Sequence, residues 1–254
     1  MKKDLKKYLP KYKKHYDDLT ETFQHFDYTS KKRLKDFWKF FPDAKKILGN
    51  NKVTVYGTLS FDNFGGRVRW VEQENGNMQM VVAFGIDKVV LHKINLDALF
   101  AHEFFHVYHE LVTPEILKKI KEDPLLMKLW NEGLATYVSS QMNPRLSDAQ
   151  ILLDSGLKNR CQNEYQSYAH RFLRDRTDFM KDRDMKKAKM YYQKWFLMED
   201  HEDINYEGMP KAAGYCLGFK AIEDLDKSHT MLEMAHWDFK TVQASLLRAL
   251  EKHM

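Results

Sequence analysis

The chain contains only two cysteines, Cys161 and Cys216, too few for a disulfide scaffold or a cysteine-based zinc finger. One bridge between them is permitted, and nothing in the sequence requires it. No apolar run approaches the ~18–20 residues that a membrane-spanning helix needs. Charged residues make up 30% of the chain and the mean hydropathy is -0.62, so no transmembrane segment is expected. There is no internal repeat and no low-complexity linker. The opening Met-Lys-Lys-Asp-Leu-Lys-Lys lacks the apolar stretch of a signal peptide. Two readings stay open: a chain not exported by that route, or one that begins after a removed leader.

What is present is a globular composition, with 43% hydrophobic and 13% aromatic residues in 254. That length suits one domain with a substantial core. The net charge of +5 is concentrated at the start, in Lys2, Lys3, Lys6, Lys7, Lys11, Lys13 and Lys14. Opposite these lysines, Tyr8, Leu9, Tyr12, Tyr16, Leu19, Phe23 and Phe26 recur at helical spacing, so the lysines read as the solvated face of an amphipathic helix. No nucleic-acid partner is expected from them.

The pattern changes twice along the chain. Residues 1–50 read as helices, with a break near Asp27-Tyr28-Thr29-Ser30, Ser30 as an N-cap and a stop at Phe41-Pro42. Residues 51–92 read as a small sheet. Val53, Val55, Gly57 and Leu59 alternate with polar positions, Val68, Trp70 and Glu72 follow, and then Met78, Met80, Val82 and Phe84. Phe64-Gly65-Gly66 and Asn75-Gly76-Asn77 are the turns, the Asn-Gly pair being a strong hairpin signal. Three or four strands, mostly antiparallel, are expected. Residues 93–254 read as helical, with segments near 96–112, 124–142, 147–158, 160–180, 184–200, 209–227 and 238–252. Asn95 caps the first of these and Thr113-Pro114 ends it. The expected fold class is therefore α+β: a small sheet followed by a predominantly helical body, forming one domain over 1–254.

The helix from residue 96 contains His102-Glu103-Phe104-Phe105-His106. Residues four apart on a helix point the same way, ~6 Å apart along its axis, so both imidazoles can reach one metal ion, and neutral imidazole is a good zinc ligand. Glu103 is placed to take a proton from an attacking water, which is the logic of His-Glu-x-x-His. The flanking Leu99, Phe100, Phe104, Phe105, Val107 and Tyr108 make the helix apolar, so its polar groups need partners. A catalytic zinc keeps three protein ligands. Glu132, an acidic residue in the apolar run Leu129-Trp130-Asn131-Glu132-Gly133-Leu134-Ala135-Thr136-Tyr137, is the best third. Gly133 and Ala135 are small enough to let this helix approach the histidine helix.

His-Glu-x-x-His followed 25 residues later by Asn-Glu-Gly-Leu-Ala-Thr-Tyr resembles the gluzincin group of zinc metallopeptidases. The string is especially similar to that of bacterial zinc-dependent proteases of uncharacterised-domain type. The resemblance covers residues 97–138 well, extends loosely to the preceding strands and to Ala213-Gly214-Tyr215-Cys216-Leu217-Gly218, and does not cover the N-terminal helices. It implies a zincin-like fold, a Zn2+ ion held by His102, His106 and Glu132, a peptide or protein substrate, and a sheet whose edge strand holds that substrate. Met78–Phe84 is the expected peptide-holding strand. Many gluzincins have an Asp four residues after the ligand Glu; here that position is Thr136, and Asp97 is a substitute. A third histidine of the metzincin type is absent, because position 112 is Val and His109 lies elsewhere in the turn.

The chemistry expected is hydrolysis of peptide bonds with Glu103 as general base. In gluzincins a Tyr or His beyond the third ligand stabilises the oxyanion. Tyr215 is the choice here, since Gly214 and Gly218 at i, i+4 spacing allow a close helix crossing beside it; His170 and His201 are alternatives. A competing class is a zinc-binding interaction protein without catalysis, against which the intact Glu103 argues.

Overall fold

The computed structural model describes residues 2–152, 154, 156–197 and 203–252. Among them are a three-stranded sheet and a majority of helix, an α+β architecture. The chain forms two compact units. The first comprises Met1–Leu111 with Ser139–Pro144, the second Val112–Val138 with Arg145–Met254. Among the described residues no helix is long and apolar enough to cross a membrane.

The first unit begins with α1 (Lys2–Lys14) and α2 (Tyr16–Phe40). The side chains of Lys6, Lys7, Lys11, Lys13 and Lys14 are exposed while Tyr8, Tyr12, Leu19 and Phe26 are buried, as the spacing predicted, but Leu9, Tyr16 and Phe23 of the expected apolar face are exposed. The expected break at residues 27–30 is absent: α2 runs through it, and the helices divide at His15 instead. Ser30 is buried, and its hydroxyl donates back to the Asp27 carbonyl at 3.0 Å rather than capping a new helix. That local back-bond, together with burial of Phe26 and Phe37 on either side, removes the reason for a break.

After α3 (Ala44–Asn50) come β1 (Thr54–Thr58), β2 (Gly66–Glu72) and β3 (Met78–Gly85). β2 and β3 form the hairpin that Asn75-Gly76 signalled, with Gly76 at φ 78. The sheet is mixed rather than mostly antiparallel, in the order β1-β3-β2, with β1 parallel to β3. The hairpin occupies one side of β3 and leaves the other to β1. The connection over residues 59–65 must therefore pass the end of β3. It does so at Gly85, where a Cβ would collide with the Phe64 carbonyl and the Ser60 side chain. Phe61 and Asp62 turn the connection with positive φ. Asp87, on the short α4 (Ile86–Leu91), fastens it by accepting from the Ser60 and Asp62 amides at 2.6 and 2.8 Å and from the Tyr12 hydroxyl at 2.8 Å. Burial pushes the Asp87 carboxyl up, but these donors outweigh it and hold it below the ordinary range.

The core of this unit is aromatic. Phe84 stands 4.5 Å from Phe100 and Phe41 4.9 Å from Tyr108, centroid to centroid, with Phe37, Phe104 and Phe26 joining the cluster. Each such pair adds ~0.5–1.5 kcal/mol beyond its buried area. Phe100, Phe104 and Tyr108 recur every four residues on α5 (Leu96–Val112), so this helix is one wall of the core.

The second unit is helical: α6 (Pro114–Lys119), α7 (Pro124–Met142, whose last residues from Ser139 belong to the first unit), α8 (Asp148–Leu152), α9 (Leu157–Asp182), α10 (Met185–Phe196), α11 (Ala213–Leu225), α12 (Met231–Ala235) and α13 (Phe239–Glu251). α11 packs on α9, α10 and α13. Cys161 and Cys216 form a disulfide that joins α9 to α11. Asp123, buried before α7, pairs with Arg176 of α9 at 2.6 Å.

Candidate metal centre

α5 has the bounds its sequence signals predicted. The Asn95 side chain accepts from the Ala98 amide at 3.1 Å as an N-cap, and Pro114 opens the next helix. Two further ties fix the start of α5. Arg33 of α2 donates through Nε and Nη2 to the two carboxylate oxygens of Asp97, and the Ser139 hydroxyl donates to the Ala98 carbonyl at 2.8 Å. Asp97 is thus engaged by a guanidinium at the helix start, which weakens its standing as a substitute for the missing Asp beside a ligand histidine.

One turn apart on this helix, His102 and His106 direct their Nε2 atoms at each other, 2.9 Å apart, with rings nearly perpendicular. Two ligands at 2.0–2.1 Å from one tetrahedral zinc are roughly 3.3 Å apart, so little movement separates this arrangement from joint ligation. His102, His106 and Glu132 are a candidate group for a metal ion. Two imidazoles and a carboxylate, with Glu132 only 4% exposed, are a donor set of zinc type. On α7 the Glu132 carboxylate accepts from Lys128 at 2.6 Å through one oxygen.

Glu103 is buried, and its arm lies against the backbone of Gly66 at the start of β2. A Cβ at that position would come under 3.0 Å from Glu103. Four residues on, the Trp70 indole donates to Glu110 at 2.5 Å, so β2 is tied to α5 at a second point. In the sequence Gly66 stands in the turn Phe64-Gly65-Gly66, which gives no sign of this contact. Its role depends on which strand lies beside α5, which no local pattern encodes. Met78–Phe84 does not supply a free edge: β3 is paired on both sides, and among the described strands the edges are β1 and β2.

Gly133, next to Glu132, meets α11. A Cβ there would lie 2.5–2.8 Å from Gly218 backbone atoms. This is the close crossing expected of Gly218, and it involves α7. Tyr215, three residues earlier on α11, is half-buried with its ring 6.2 Å from Phe196. Gly214 beside it has no room for a Cβ, which would meet Phe196 and the Trp195 carbonyl. Thr136 is buried, and among the described residues its hydroxyl has no hydrogen-bond partner. His109 is buried and stacks on Phe105 at 5.4 Å. His170 is exposed at a cavity of the second unit that Arg174, Lys194 and Glu207 also line. His201 lies outside the described residues.

Residues 2–223 match a family model described as "Putative zinc dependent peptidase (DUF5700)". The match includes the N-terminal helices, which the motif resemblance alone did not reach. No curated protein and no solved structure matches the chain. With 222 of its 254 residues matched, the chain belongs to this zinc-dependent peptidase family.

Proposed function

We propose that the protein is a gluzincin-type zinc metallopeptidase that hydrolyses peptide bonds, with His102, His106 and Glu132 as the ligands of Zn2+ and Glu103 as the general base. The observation that carries this reading is the pair of imidazoles one turn apart on α5, their Nε2 atoms 2.9 Å apart, with the buried Glu103 between them in sequence, in a chain of this zinc-dependent peptidase family. Bound there, zinc would supply the acidity that lets water lose a proton near neutral pH and would polarise the scissile carbonyl.

The chain's own groups perform the remaining steps. Glu103 takes the proton of the attacking water and returns it to the leaving amine. Pressed against Gly66, it has a restricted range of positions, which suits a base that must act at one point. Tyr215 is assigned the hydrogen bond to the developing oxyanion. The Gly133–Gly218 crossing fixes α11 beside the residue that follows Glu132. The substrate main chain is assigned to β2, the edge strand next to Glu103, in place of β3.

Metal analysis of the purified protein should give about one zinc per chain, lost on replacing His102 or Glu132 by Ala. Turnover of a peptide library by the zinc-loaded protein completes the test. Stoichiometric zinc without any turnover would favour a non-catalytic zinc-binding protein.

A further inference from the structure

β2 carries two arginines on one face that no carboxylate neutralises among the described residues. Arg67 and Arg69 are both exposed. The Arg67 guanidinium lies 4.8 Å from the Phe64 ring, and Arg69 Nη1 donates to the Val68 carbonyl at 3.0 Å.

The direction of the strand's main-chain groups follows from its register. Gly66 is opposite Phe84 and Glu72 opposite Met78. The Gly85 amide donates to Gly65 and the Gln73 amide to Asn77, at 2.7 and 2.8 Å. In an antiparallel pair, hydrogen-bonded positions alternate. The odd-numbered residues of β2 therefore turn their amides and carbonyls to β3, and Gly66, Val68 and Trp70 turn theirs to the open side. The carbonyl that Arg69 covers is one of these outward groups. Its guanidinium thus sits over the edge that an added strand would use, one to three residues from the Gly66 that touches Glu103.

We propose that β2 docks an extended peptide segment with acidic side chains at alternate positions, Arg67 and Arg69 being the residues that select it. This rests on the peptidase reading above. Arg67 and Arg69 are two residues apart on one face, ~6.7 Å along the strand. Side chains directly across from them on an added strand would stand ~4.5–5.5 Å away, Cβ to Cβ. Two carboxylates spaced i, i+2 match that geometry. On docking, Arg69 exchanges its own strand's carbonyl for a charged acceptor, which makes the stronger hydrogen bond. The net charge of +5 favours the same partners at longer range.

The test uses zinc-loaded full-length protein carrying Glu103→Gln, so that binding is read without cleavage. Two fluorescein-labelled peptides, identical except for Glu-x-Glu or Lys-x-Lys at the central positions, are titrated by fluorescence anisotropy. The acidic peptide should bind about tenfold more tightly, about threefold per arginine as for exposed ion pairs. Arg67→Gln with Arg69→Gln should abolish the preference, and Arg67→Glu with Arg69→Glu should reverse it, with zinc content and thermal midpoint unchanged. Equal binding of the two peptides, or a preference that survives both double variants, overturns the proposal. Turnover by the wild type is scored separately. Charge-selective binding without turnover counts against the peptidase reading alone, and turnover without charge selectivity counts against the arginines alone.

Discussion

The backbone of Gly66 in β2 lies directly against the side chain of Glu103 in α5, with no room for a Cβ between them. This contact couples the edge of the sheet to the residue proposed as general base. A methyl group placed there must displace either the strand or the carboxylate.

Gly66→Ala should therefore lower kcat about a hundredfold while zinc content stays near one per chain, since a base misplaced by about 1 Å costs rate on that scale. Overpacking should also cost about 1–3 kcal/mol of stability, read by denaturant unfolding. Unchanged kcat in a folded, zinc-replete variant would show that Glu103 does not depend on this contact.

Tyr215→Phe separates oxyanion stabilisation from packing. The ring that stands against Phe196 is kept and only the hydroxyl is removed. Loss of one oxyanion donor costs ~10²–10³ in kcat, with KM and zinc content little changed. A variant with wild-type kcat would assign Tyr215 to the core of the second unit and reopen the choice between His170 and His201.

The acid limb of stability should be sensitive to Glu207. Hydrogen bonds from Arg174 and then Lys194 lower its carboxyl from 4.5 to about 2. A folded-state value below the unfolded one stabilises the protein above the unfolded value, and the contribution fades as pH falls toward the folded one. Wild type and Glu207→Gln should therefore differ most above pH 4.5 and converge near pH 2. Urea midpoints measured across that window check this. A constant difference down to pH 2 would mean that the ion pairs contribute nothing that depends on ionisation.

Local signals in the sequence were sufficient for α5, whose cap at Asn95, apolar flanks and stop at Pro114 all agree with the structure. The same holds for the hairpin at Asn75-Gly76. Pairing across the sheet was not legible. Alternation identifies a strand without naming its neighbours, so β3 passed for an edge although it is the centre strand. The parallel pairing of β1 depends on a connection anchored by Asp87, from a six-residue helix too short to show a period. Ser30 is a similar case: its hydroxyl suits a cap or a back-bond equally, and burial of the surrounding helix decides for the second. At the site, His102 and His106 follow from helix geometry alone, whereas Glu132 needed the family spacing. Gly133 beside it reads as a close-approach position, and the structure seats it against Gly218 of α11, a partner that residue size alone does not specify.

The central claim is that Glu103 moves the proton at a zinc site it does not itself build. Zinc content and peptide turnover of wild type and Glu103→Gln, measured side by side on the same preparations, test this most directly. Equal zinc, about one per chain, with turnover in the wild type and none detectable in Glu103→Gln is the expected result. Turnover that persists in zinc-loaded Glu103→Gln, or zinc that is lost with the carboxylate, would contradict it.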